Sequence, residues 1–195
     1  MRAIRFSRTG GPEVLELVDV DAPQLRPGQI LVRHDAVGIN FIDTYQRSGL
    51  YPMKLPSGLG SEAAGVVEAV GEGVTRFKVG DLAAYAGTPG AYADANAVVA
   101  ERAVKIPAGV DARTAAAALL KGMTVEFLIR RLHPVEAGET ILVHAAAGGV
   151  GQIMVQWAKA LGAVVIATVG SEQKAARVRE LGADHVILYR DQDVA

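Results

Sequence analysis

The strongest hydrophobic pattern in the chain runs from Glu139 to Gly170. Glu139-Thr140-Ile141-Leu142-Val143-His144 is a short, mostly apolar run, and Ala145-Ala146-Ala147-Gly148-Gly149-Val150-Gly151 after it is nearly stripped of side chains. Val150, Met154, Trp157, Ala158 and Leu161 then recur at helical spacing, which predicts a helix with that face turned inward. Gly162 stops the helix, and Ala163 to Thr168 is a second apolar run of strand length. Ser171 to Leu181 is amphipathic with Ala175, Val178 and Leu181 on one face, Gly182 ends it, and His185 to Tyr189 reads as a third strand. The segment is therefore an alternation of strand and helix, the pattern of a parallel sheet with crossover helices.

The preceding residues have a different rhythm. Up to residue 108 the pattern is β-rich and punctuated by turns, with Arg2 to Phe6 and Glu13 to Val20 flanking the turn Thr9-Gly10-Gly11-Pro12 as a hairpin. Further strands are expected at Ile30 to Val37, Ala64 to Val70, Leu82 to Tyr85 and Ala97 to Lys105. Asn40 to Arg47 reads as a short helix closed at Gly49. Asp111 is an N-cap for an alanine-rich stretch in which Ala115 to Leu120 and Thr124 to Leu132 read as two helices, or one broken near Lys121-Gly122. The fold class expected is α/β, with a β-rich domain over residues 1–120 and a doubly wound, Rossmann-type domain over 121–195. Three parallel strands make only half of such a sheet, so the chain is expected to be a fragment or truncated product.

The glycine turn carries the first chemical suggestion. Small residues at the start of a helix let backbone N–H groups approach a pyrophosphate at the helix's positive end. Gly148 and Gly151 stand in register with the G-x-G-x-x-G fingerprint, with Ala146 in place of its first glycine. The alternative is a tight turn in an ordinary parallel sheet. At the end of the second strand, where an NAD site holds a carboxylate for the ribose hydroxyls, the chain has Val169, then Gly170, Ser171, Glu172, Gln173 and Lys174. The missing carboxylate removes repulsion against a 2′-phosphate, and Ser171 and Lys174 supply a donor and a positive charge. NADPH is thus expected over NADH. The competing reading leaves Ser171 as a helix cap and Lys174 as a solvated lysine.

Composition narrows the remaining classes. The net charge of −1 over 195 residues offers no basic surface for nucleic acid or an anionic membrane. With no cysteine there is no disulfide framework, thiolate nucleophile or cysteine-ligated zinc. The four histidines, His34, His133, His144 and His185, show no ligand spacing. Met1 to Arg5 lacks the apolar core of a signal peptide, and no apolar run reaches membrane-spanning length, so a soluble cytoplasmic protein is expected.

Several further motifs fit one family. Gly10-Gly11-Pro12-Glu13-Val14-Leu15, Gly38-Ile39-Asn40-Phe41-Ile42-Asp43-Thr44-Tyr45, Ser48-Gly49-Leu50-Tyr51-Pro52, Gly65-Val66-Val67, Lys121-Gly122-Met123-Thr124, the His144 to Gly151 turn and Leu181-Gly182-Ala183-Asp184 are spread over the whole chain. Together they resemble the zinc-free NADPH:quinone oxidoreductases, the zeta-crystallin-like branch of the medium-chain dehydrogenase/reductase superfamily. In the zinc enzymes of that superfamily a cysteine ligand matches Asn40 and a Gly-His-Glu triplet matches Gly60-Ser61-Glu62, so the resemblance implies that no catalytic metal is held.

The resemblance also implies a GroES-like catalytic domain followed by a Rossmann domain that binds NADPH, and hydride transfer to a quinone or conjugated carbonyl compound. Position by position, it places Asn40, Asp43 and Tyr45 at the nicotinamide end, Gly149 and Val150 at the pyrophosphate, and Gly170, Ser171 and Lys174 at the adenosine phosphate. Tyr189 matches a residue near the ribose phosphate, and Phe127 stands where some relatives have a cofactor-contacting tyrosine. Asn40 and Asp43 have a plainer alternative as the capping residues of their short helix. The resemblance further implies a homodimeric parent protein. An enone reductase, or an NADPH-binding protein without turnover, are the competing functions.

Overall fold

The computed structural model describes residues 1–192, so the last three residues of the 121–195 segment lie outside the described part. The chain divides into two compact units, Met1–Leu120 and Lys121–Ala195.

In the first unit β1 (Arg2–Phe6) pairs antiparallel with β2 (Glu16–Asp19), the hairpin expected from the turn between them. Pro12–Val14 forms a 3₁₀ turn in that connection, with proline at the start of the turn where its missing N–H costs nothing. β3 (Gln29–Gly38) runs into α1 (Phe41–Ser48), which Gly49 closes at φ 88°. The two-residue β4 (Ser57–Gly58) pairs with the other edge of β1. β3 is then flanked by β5 (Glu62–Val70) and β7 (Ala95–Val99), while β6 (Leu82–Ala86) and β8 (Ala103–Lys105) extend the sheet beyond β5.

The expected single strand from Ala97 to Lys105 is in fact two. A three-residue 3₁₀ turn, Ala100–Arg102, separates β7 from β8, and they lie on opposite edges of the five-stranded sheet. A turn that short joins opposite edges only if the sheet curls until the edges approach. Burial shows where the alternation slips: Val98 and Ala100 point inward two apart, but the next inward residue is Ala103.

Inside the curl lie Ile30, Val32, Ala63, Val67, Tyr85 and Val98, all fully buried. Tyr85 brings a hydroxyl with it, and a short chain of hydrogen bonds satisfies that group. The His34 Nδ1 lies 2.7 Å from the Ala93 carbonyl, the Tyr85 hydroxyl 2.9 Å from His34 Nε2, and Asn96 Nδ2 donates to the Tyr85 oxygen at 3.2 Å. Nδ1 carries a proton to donate to the Ala93 carbonyl, and in the neutral imidazole Nε2 then accepts from the Tyr85 hydroxyl.

The boundary between units falls within α2 (Ala112–Glu126). Its early residues Ala112, Ala116 and Leu119 pack with Ala64 and Ala84 of the first unit, and Val125 belongs to the core of the second. The helix is continuous through Lys121-Gly122, where a break was the alternative expected. Glycine in a helix costs about 1 kcal/mol, an amount that packing along both halves offsets. The irregularity comes later, as a wide π-helical turn over Phe127–Leu132.

The second unit is β9 (Thr140–Val143), α3 (Gly149–Ala160), β10 (Val164–Val169), α4 (Glu172–Glu180) and β11 (His185–Leu188). The strands are parallel in the order β11-β10-β9, with Ala167 opposite both Val143 and Val186. Ala175 and Val178 of α4 are fully buried, as their spacing requires. For α3 the inward stripe is shifted by one residue. Gly151, Val155 and Ala158 are buried, whereas Val150, Met154, Trp157 and Leu161 flank that stripe partly exposed. Small residues occupy the line of closest approach because the helix backbone sits low on the sheet, and the large side chains fit only beside it.

Burial pushes the His34 imidazole below its usual range. The unfolded chain therefore takes up a proton that the folded one refuses. Stability is complete above about pH 6.5, the unfolded value, and falls as pH drops below it, by at most about 1.4 kcal/mol per pH unit. Urea unfolding at pH 7.5 and 5.5 is expected to show this loss, and His34→Gln to remove most of the difference.

Candidate functional site

The turn after β9 is built from backbone. Ala145 has φ 49°, the left-handed conformation that is costly for a residue with a Cβ. Two hydrogen bonds hold it there: Gly148 N–H donates to Ala145 O at 2.8 Å, and Ala146 N–H donates to Thr168 O at 3.1 Å. Ala146 is fully buried, so its methyl group faces the core and what it offers the turn is its backbone. Gly148 is the N-cap of α3, and Gln152 N–H is the first to bond back along the helix, to Gly148 O at 2.9 Å. The amides of Gly149, Val150 and Gly151 thus form the open first turn of the helix.

Each glycine of this turn has its own reason. A Cβ on Gly151 would lie 2.6 Å from the carbonyl oxygens of both Ala145 and Ala146, so no side chain fits between the helix and the turn. A Cβ on Gly149 would lie 2.8 Å from Lys121 Cδ and 2.9 Å from its Cε. Gly148 has 3.1 Å to Ala145 O, a tight contact.

Beside the turn is a pocket of about 130 Å³ lined by Ala145, Ala147, Gly148, Val169, Gly170, Lys174 and Tyr189. It brings together Gly148, Gly170, Lys174 and Tyr189 of the residues singled out from the sequence. The Tyr189 phenol lies over Gly170, its oxygen 2.5 Å from where a Cβ would be. Ser171 is the N-cap of α4, its Oγ accepting from Lys174 N–H at 3.4 Å, so the capping role is realised. The Lys174 side chain itself is exposed, at the positive end of α4. Phe127 does not line this pocket; it is half-exposed at the start of the π-helical turn.

The candidates in the first unit are organised by α1. Asn40 is the N-cap, and Asp43 Oδ2 accepts the Asn40 backbone N–H at 2.8 Å. The same oxygen accepts the Tyr92 hydroxyl at 2.6 Å. Asp43 is only 3% exposed and its Oδ1 has no hydrogen-bond partner among the described residues. Burial, and then the bond to Asp43, pushes the Tyr92 phenol well above its usual range. Asn40 and Asp43 form a capping box, and the Asn40 side chain also reaches Glu62. Its Nδ2 donates to Glu62 Oε1 at 3.0 Å, while Glu62 Oε2 accepts the Leu120 N–H at 2.8 Å.

Glu62 is completely buried, and Gly38 makes room for it: a Cβ on Gly38 would fall 2.1 Å from Glu62 Oε1. Tyr45 stands apart from this network. Its half-buried ring packs edge-on against Phe41, with centroids 5.3 Å apart, and tilted against Tyr51 at 5.4 Å. The Tyr92 partner of Asp43 gave no signal in the sequence. Glu62 did, as a carboxylate opening the otherwise apolar run Ala63 to Val67. Among the described residues no three His, Asp or Glu side chains are grouped to hold a metal, and no helix is long and apolar enough to cross a membrane.

Residues 26–108 match the alcohol dehydrogenase GroES-like domain family, and residues 149–195 match the zinc-binding dehydrogenase family. Both parts of the chain are thus similar to dehydrogenases of the medium-chain dehydrogenase/reductase kind. The chain is 53% identical to the quinone oxidoreductase of Pseudomonas aeruginosa, an alignment covering 100% of this chain and 60% of that protein. It is 45% identical to a 2-haloacrylate reductase of a Burkholderia species, over 96% of this chain and 59% of that one. The fold superposes on the crystal structure of Escherichia coli quinone oxidoreductase complexed with NADPH with a TM-score of 0.98 at 49% identity, covering 100% of this chain and 60% of the other. The chain thus spans about 60% of the length of the relatives it matches.

Gly151→Ala is expected to cost about 1–3 kcal/mol in urea unfolding, the overpacking penalty of forcing a methyl group against two carbonyls. Gly122→Ala, where a Cβ meets nothing within 4 Å, is expected to leave stability unchanged or raise it.

Proposed function

We propose that the protein is an oxidoreductase that transfers a hydride from NADPH to a quinone, without a catalytic metal. The observation that carries this reading is the pocket in which Lys174 and Gly148 meet at the end of β10, with Val169 where an NAD site would hold a carboxylate. The residues present fit the cofactor. The open amides of Gly149, Val150 and Gly151 suit a pyrophosphate, and Gly170, Ser171, Lys174 and Tyr189 suit the adenosine ribose and its 2′-phosphate. Ala146 and Gly148 shape the turn through their backbone.

When bound, NADPH supplies the hydride, and the chain supplies position and polarity. Glu62 holds the Asn40 amide nitrogen and so fixes the orientation of that side chain at the nicotinamide end. Asp43 fixes the helix start from which Asn40 projects, and Tyr45 forms an aromatic wall with Phe41 and Tyr51. On this reading residues 1–120 are the catalytic domain, residues 121–195 are the first half of the NADPH domain, and the whole protein is a cytoplasmic homodimer.

The 45% identity to a 2-haloacrylate reductase supports a second reading, reduction of an activated carbon–carbon double bond. Turnover assays with NADPH separate the two. The quinone reading expects consumption of NADPH with 1,4-benzoquinone, the second expects a saturated product from an enone, and binding without turnover of either would identify a non-catalytic NADPH-binding protein.

Cofactor choice has its own test in Lys174. Lys174→Glu is expected to weaken NADPH by tenfold or more while changing NADH little, since it removes a charge-assisted contact and adds repulsion at the 2′-phosphate only. Fluorescence titration with both cofactors reads this directly; an unchanged preference would remove Lys174 from the site.

A further inference from the structure

We infer that Gln152 is a positioning residue that ties together the two walls of the pocket beside the glycine turn and so sets how Lys174 meets the 2′-phosphate, an inference that rests on the NADPH reading above. One wall is the turn itself, with Ala147 and Gly148, and the other is the start of α4, with Lys174. Gln152, partly buried in the first turn of α3, reaches one wall directly and the other through Arg177. Its Nε2 donates to the Ala147 carbonyl at 3.0 Å, and its Oε1 accepts from Arg177 Nε at 3.2 Å. Arg177 stands three residues after Lys174 on α4, a spacing that makes the two neighbours on the helix surface. Gln152 and Arg177 do not line the pocket, so their effect on a ligand passes through the residues that do.

The bridge calls for an amide. A peptide carbonyl only accepts hydrogen bonds and a guanidinium only donates them, so the side chain between them must donate at one end and accept at the other. Glutamate in this place has nothing to donate to Ala147, and lysine has nothing with which to accept from Arg177. The peptide between Ala147 and Gly148 is thereby held at both ends. Its carbonyl takes the Gln152 amide, and its N–H donates to Ala145 O at 2.8 Å. Ala145 is the residue in the left-handed conformation, which persists only where the surroundings over-determine it. On the other side Arg177 is oriented in turn by Glu180, whose Oε2 lies 3.3 Å from Nη1. With the turn and α4 joined in this way, the separation between the turn and the helix that carries Lys174 is set before the ligand arrives, and none of the binding energy goes into ordering it. The bridge therefore favours the cofactor with a 2′-phosphate and matters little to the one without.

Gln152→Met tests the assignment in the full-length protein, since methionine keeps the length of the side chain and removes both hydrogen bonds without changing the charge. NADPH and NADH are titrated by fluorescence. The expected result is a loss of about fivefold in the preference for NADPH over NADH, the worth of about one hydrogen bond, with NADH affinity nearly unchanged. Arg177→Met breaks the bridge from the other side and is expected to shift the ratio in the same direction. In a Lys174→Met background, Gln152→Met is expected to leave the ratio where Lys174→Met alone puts it, because the bridge acts through that lysine. A further shift there, an equal loss for both cofactors, or an unchanged ratio in Gln152→Met would overturn this assignment and leave the NADPH reading standing. So would a shift confined to Arg177→Met, the mark of a guanidinium that touches the phosphate itself. If the methionine variant does not fold, Gln152→Ala is read in the same way. A wild-type protein that binds no NADPH would overturn the parent reading and this one with it.

Discussion

Where α3 meets the turn behind β9 there is no room for a side chain, and much of the second unit follows from that contact. A Cβ on Gly151 would collide with the carbonyls of Ala145 and Ala146, and its absence lets the first turn of α3 lie down on the backbone that leaves the sheet. Close approach puts small residues along the buried line of the helix and pushes Met154 and Trp157 to its flanks. It also sets the open amides of Gly149 and Val150 at the mouth of the turn, with the pocket of Lys174 and Tyr189 beside it. In the proposed NADPH site, packing and anion binding draw on the same piece of geometry, the close approach of one backbone to another.

The first unit is organised around a buried charge. Glu62 has no exposure to solvent, and a carboxylate in such a place is stable only when its oxygens are hydrogen-bonded. Asn40 and the Leu120 amide provide that, drawing the start of α1 and the middle of α2 toward one strand, β5. Gly38 is the matching cavity. Asn40 thereby serves the carboxylate and the start of α1 at once.

Much of this was legible in the sequence because it depends on local chemistry. Gly49 and Gly162 mark helix ends because they alone take φ near +90° cheaply. The hairpin around Gly10-Gly11-Pro12, the βαβ alternation and the inward Ala175 and Val178 follow from turn residues and periodicity. The capping roles of Ser171 and Asp43 were visible as the plainer alternatives, and both are present.

What the sequence by itself determined was the order and kind of the elements and the run of small residues in the glycine turn, because each depends on neighbours within a few positions. Tertiary structure decided the rest. That β7 and β8 are separate strands on opposite edges depends on the curl of the whole sheet, to which a continuous apolar run is blind. That α3 buries Gly151, Val155 and Ala158 depends on how close a distant strand comes. The partners of the site residues are separated too far for any pattern to link them: Asp43 and Tyr92, Asn40 and Glu62, Gly149 and Lys121. Their contacts exist only once hydrophobic burial has fixed the backbone, and that burial depends on summed area rather than on any one residue.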